Sequence, residues 1–105
     1  MALIRSVFQE ELDGVSQSLV DLNMMVSDSI NKATHALISA DLRVAEEVIA
    51  YDEKVDLYQH DLDSRIIDII ARQQPVASDL RALVTALRMS ADLERMGDQI
   101  GRAHV

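Results

Sequence analysis

Residues 73–81 read QQPVASDLR and hold the only proline of the chain. Pro75 has no amide hydrogen to donate, and it disfavours helix at Gln74 before it. A helix arriving from upstream must end there. Proline is tolerated in the first turn of a helix, so a new helix is expected from Pro75 or Val76. Downstream, Val76, Leu80, Leu83, Leu87 and Ala91 recur every three or four residues, the amphipathic-helix period, and the pattern continues to Val105. Upstream, apolar residues at the same period predict a helix over Leu42–Arg72.

A second break lies at SADLRVAEEV, residues 39–48. Asp41 can accept from the free N–H groups of the turn after it, while Glu46 and Glu47 suit the positive end of the helix dipole. Before that break, Phe8, Leu12, Val15, Leu19, Leu22, Val26, Ile30, Ala33 and Leu37 mark a first helix over Leu3–Ile38. Gly14 sits inside it at a cost of about 1 kcal/mol against Ala. Each helix is on the order of 45 Å long. Connections this short force antiparallel neighbours. The expectation is an all-α, up-down-up three-helix bundle forming one domain over residues 1–105. The third stripe runs to the C-terminus without a cap, so a fragment, or a surface completed by another copy, is expected.

Composition agrees. The chain has 105 residues, 49% of them hydrophobic, which is too many for an acidic disordered chain. Aromatics are 3%, with three Gly and one Pro, too few for a β sandwich or barrel. The net charge of −8 argues against a nucleic-acid binder or an anchor on anionic lipid. Absence of cysteine excludes disulfides and thiolate metal sites and fits the cytoplasm. The N-terminus, MALIRSVFQEEL, has no long apolar run and turns acidic at once, so no signal peptide is expected.

The informative residues are acids on apolar stripes. Placed at about 100° per residue, Glu94 and Asp98 fall amid Leu80, Leu83, Leu87 and Ala91. On the second helix Asp52, Asp56 and Asp63 fall inside the arc of Ala45, Val48, Ile49, Val55, Leu62, Ile66 and Ile70. Asp61 and Asp68, each four residues before an Arg, fall on the solvated side. Two neighbouring helices thus each carry an acid-x-x-x-acid pair on one face, with Cβ atoms about 5–6 Å apart. Unpaired buried carboxylates are expensive. Hard cations with oxygen ligands would neutralise them. So would Arg88, Arg95 or Arg102, or simple exposure to water, and the spacing alone leaves these open. Gly97 and Gly101 flank the stripe and are expected to permit close approach.

His35 and His104 are expected at the surface. His60, four residues after Asp56, could join a site but is more simply a surface residue. Met24, Met25, Met89 and Met96 are expected as packing residues. A four-carboxylate bundle suggests a di-iron oxidase, but those sites add Glu-x-x-His motifs. The residues three before the histidines are Lys32, Leu57 and Gly101. No nucleophile elbow, phosphate loop or zincin motif is present. A di-iron enzyme and a metal-free scaffold stand as alternatives.

AEEVIAYDEKVD (45–56) and IARQQPVASDLRALVTALRMSADLERMGDQI (70–100) resemble the first repeat of the PhoU family, the phosphate-responsive regulators associated with high-affinity phosphate uptake. Phe8 with Leu12, and ADLRVA at 40–45, are similar too. The resemblance implies one three-helix repeat where the family has two. It also implies a Glu/Asp-x-x-x-Asp motif on two helices, here Asp52 with Asp56 and Glu94 with Asp98. At those positions it implies iron, zinc, manganese or magnesium, alone or in clusters. The implied role is regulatory rather than enzymatic: coupling a phosphate ABC transporter, through its ATPase subunit, to a sensor histidine kinase, with contact to the membrane only through those partners. Two copies of a single repeat are expected to pair as a homodimer.

Overall fold

The computed structural model describes the backbone of residues 2–104 and the side chains of residues 6–99. It has three helices: α1 (Ala2–Ser39), α2 (Leu42–Gln73) and α3 (Ala77–His104). No strand occurs among the described residues. Each helix packs on both others in a rod with extents of 58 × 19 × 15 Å. All three helices extend to within two residues of their expected bounds.

Both connections are built as the sequence suggests. The carboxylate of Asp41 accepts from the Arg43 amide at 2.9 Å and caps α2. Ahead of it, Ala40 takes a left-handed conformation, φ 51°, and its amide donates to the Ala36 carbonyl at 2.9 Å. At the other end Gln74, φ 43°, turns the chain out of α2 and donates to the Ile70 carbonyl at 3.2 Å. Helix α3 then starts at Ala77, with Val76 accepting the first bond from Leu80.

The core runs along the axis. Leu22, Leu62, Ile66, Ile69 and Leu83 are almost wholly buried, with Val15, Val26, Val55 and Ala86 around them. Ala33, Ala36 and Val48 close the end near the first connection. Ion pairing closes the other end of the α1–α2 face: Arg72 on α2 reaches Glu11 on α1 at 2.6 Å and Asp68 on its own helix at 2.7 Å. The Arg72 hydrogen bond holds the Glu11 carboxyl below its ordinary value.

Several expected core residues lie outside it. Leu37, Ile49, Val76 and Leu80 are exposed. Leu37 is near the end of α1, and Val76 is in the connection. Ile49 lies about 140° round α2 from Leu62, so the expected apolar arc was drawn too wide. Arg65, expected to pair with Asp61, instead donates to the Ser18 hydroxyl on α1. Of the methionines among the described residues only Met25 packs against the core, while Met24, Met89 and Met96 stand exposed. A Cβ at Gly97 would meet nothing within 4 Å, so no close backbone approach requires that glycine. The surroundings of Gly101, Arg102 and His104 lie outside the described residues.

Candidate metal centre

Asp52 and Asp56 lie on α2, and Glu94 and Asp98 on α3, the two helices joined at residues 74–76. The chain turns back at residues 74–76, so Asp56 and Glu94, and Asp52 and Asp98, fall at similar distances from the turn. Helical spacing sets each pair on one side of its own helix. Asp52 is half-buried and accepts from the Ser29 hydroxyl of α1. Asp56, four residues on, is exposed at the edge of the seam. Glu94 is half-buried and Asp98 exposed.

Charge ties three of them together. The Asp56 carboxyl is raised above its ordinary value, first by partial loss of water, then by the negative charges of Asp98 and Asp52. His60 opposes the rise and Glu53 adds to it. Asp98 acts on Asp56 from another helix, so the fold sets these two within reach of one another's charge. Glu94 lies one turn before Asp98 and is not among the groups that shift Asp56.

Among the described residues no Lys or Arg pairs with any of the four acids. Arg95 reaches Asp92, at 3.8 Å, rather than Glu94. This weakens the ion-pair explanation for acids on the stripe. Equally, no three of His, Asp or Glu among the described residues stand close enough together to hold a metal ion as they are. The seam is therefore an open row of oxygen donors with mutual repulsion. Its donor chemistry fits a hard cation, which carboxylates attract and whose charge would relieve the strain on Asp56.

Sequence reasoning missed three buried polar side chains. Ser29 replaces an apolar residue on the α1 stripe between Val26 and Ala33, which was a readable signal. Gln59 on α2 is buried and donates to the Asp63 carboxylate at 2.5 Å, leaving one oxygen of each without a partner. Ser90 of α3 is wholly buried, and its hydroxyl also lacks one.

The arrangement can be set beside known proteins. Residues 19–102, which include all four acids, match the PhoU domain. The chain belongs to the PhoU family. It is 39% identical over 90 residues to an Aquifex aeolicus protein named phosphate-specific transport system accessory protein PhoU homolog, covering 86% of this chain and 41% of that one. Its identity to the Pseudomonas aeruginosa protein of the same name is 34% over 99 residues, covering 94% and 41%. A Mycobacterium tuberculosis protein, PhoU homolog 2, is 37% identical over 94 residues, covering 90% and 44%. The chain thus spans about two-fifths of the length of these relatives, which are named as accessory proteins. No solved structure matches it significantly. Among the described residues no helix is long and apolar enough to cross a membrane.

Proposed function

We propose that this chain is a metal-binding regulatory module of phosphate uptake and the phosphate-starvation response. It acts as an adaptor between a phosphate ABC transporter, at its ATPase subunit, and a sensor histidine kinase. It works in the cytoplasm as a homodimer and catalyses no reaction. The observation that carries this reading is the match of residues 19–102 to the PhoU domain, with relatives named for phosphate-specific transport.

In this reading Asp52, Asp56, Glu94 and Asp98 hold divalent or trivalent ions: iron, zinc, manganese or magnesium. A bound cation would supply positive charge that draws the α2–α3 seam together. The chain's own part is to set the oxygens. Ser29 donates to Asp52 and fixes it from α1. Asp56 and Asp98 face one another's charge across the seam. Side-chain rotation would complete the set.

The test is genetic. The gene is deleted, then restored as wild type or with Asp52→Asn, Asp56→Asn, Glu94→Gln and Asp98→Asn together. Expression of a phosphate-starvation reporter is read in high phosphate. Deletion should raise expression, wild type should restore repression, and the fourfold variant should not. Unchanged expression on deletion would overturn the regulatory role. Full repression by a folded fourfold variant would remove the metal from it. A metal-free scaffold is the second reading, favoured by the absence of a converged three-ligand group among the described residues. Melting temperatures that EDTA leaves unchanged would support it.

A further inference from the structure

Charge is distributed unevenly round α1. Between Gly14 and Ala40 the helix carries three charged side chains, Asp21, Asp28 and Lys32. All three lie toward α2. The Tyr58 hydroxyl donates to Asp21 at 3.4 Å, and the Lys32 ammonium lies 5.2 Å from the centre of the Tyr51 ring and 3.9 Å from Asp28. The remaining face, from Ser16 to Ile38, has no charge and is open to water. Val20 there is 53% exposed, and Met24, 63% exposed, stands at its edge, one turn from Asp21 and Asp28.

Beside it, α3 adds two exposed methionines in a stretch that also carries Arg88, Asp92 and Arg95. Met89 and Met96 are 48% and 46% exposed. A groove of about 630 Å³ runs between the helices, lined chiefly by Leu19, Val20, Asn23, Met89 and Leu93. Its single charge, Asp92, is engaged by Arg95 at 3.8 Å.

The occupant follows from charge. A chain of net charge −8 repels its own copies over most of its surface. At the α2–α3 seam, carboxylates would meet carboxylates. In a two-fold contact a patch meets itself, so only a patch without net charge escapes that repulsion. A strongly charged partner would find nothing complementary here. The uncharged face of α1 is about 33 Å long at the helical rise, and the rod is 19 Å across. That area approaches the ~800 Å² per partner of a standard interface. Exposed methionines suit it, because a flexible thioether repacks against many shapes.

We propose that the charge-poor α1–α3 face, centred on Val20 and Met89 with Met24 at its edge, is where two copies of this chain meet about a two-fold axis. The proposal rests on the homodimer reading above and assigns its surface, which leaves the acidic seam on the far side of α3 free for ions or partners.

Analytical ultracentrifugation at tens of micromolar tests it, with three proteins: wild type, Met24→Arg with Met89→Arg, and a control on α2, Leu57→Arg with Ile67→Arg. Both control positions are exposed. Wild type and the α2 variant should sediment as dimers. The α1–α3 variant should be monomeric, with association weakened at least about tenfold and helical circular dichroism unchanged. Dimers that survive the α1–α3 change overturn the assigned face while leaving the homodimer intact. A monomeric wild type overturns the homodimer and this proposal with it. The chain has no cysteine, so a spin label on Met24→Cys gives an independent reading. Labels at that position should lie closer together in the dimer than labels on Leu57→Cys. The reverse order contradicts the proposal even if the arginine variant fails to fold.

Discussion

Replacing Asp56 by Asn keeps the shape of the side chain and removes its charge. With metal removed by EDTA, the folded protein should become more stable. The Asp56 carboxyl is raised above its ordinary 3.8, so the fold disfavours the charged form. Two like charges act on it, Asp98 across the seam and Asp52 one turn back. Each such exposed pair costs about 0.2–0.5 kcal/mol, and the lost attraction to His60 subtracts a little. The net gain should be about 0.5 kcal/mol, or a melting temperature higher by about 2–4 °C for a domain this size. The destabilisation is full above the folded pKa, where both states are ionised. It vanishes below the unfolded pKa, where both are protonated. The gain should therefore be present at neutral pH and gone below about pH 4. It should also shrink in molar salt, where the screening length falls to about 3 Å. Calorimetric melts of both proteins across pH would show this. A lower melting temperature for Asp56→Asn at neutral pH in EDTA, or an equal gain at every pH, would refute the repulsion argument.

Other perturbations probe the bundle itself. Leu62→Ala, at a side chain with 0% exposure, should destabilise by about 2–5 kcal/mol in urea unfolding. Gly14→Ala should stabilise by about 0.5–1 kcal/mol in the same assay, because an added Cβ meets nothing there. The Glu11 carboxyl is held below its ordinary 4.5 by Arg72, so its contribution is present above that value and lost as pH falls through the lower folded pKa. Glu11→Gln should accordingly flatten the acid limb of stability against pH. Ser90→Ala should be neutral or mildly stabilising in thermal melts, since the buried hydroxyl has no partner to lose.

The fold was legible because its punctuation is strong. Pro75 stops one helix, Asp41 caps another, and the stripes at Leu22 and Leu62 keep a helical period for many turns. What was misread concerns how wide the apolar arcs are. Met24, Met89 and Ile49 look like core by residue type, yet only packing decides which edge of a stripe is covered. The acids were legible as a row, since helical spacing puts Asp52 with Asp56 and Glu94 with Asp98. The reach of Asp98 to Asp56 across helices was not, because it depends on the register of α2 against α3. Ser29 illustrates the limit: its place on the α1 stripe marks it as unusual, but nothing in one sequence says that it meets Asp52.

Metal content tests the central claim most directly. Protein purified without a metal-charged column would be incubated with iron, manganese or zinc, desalted, and analysed by inductively coupled plasma mass spectrometry. Wild type would be compared with Asp52→Asn, Asp56→Asn, Glu94→Gln and Asp98→Asn, made singly. The account predicts stoichiometric metal in wild type and its loss in each variant. Wild type without metal after incubation, or variants that retain it in full, would contradict the assignment of these carboxylates as a metal site.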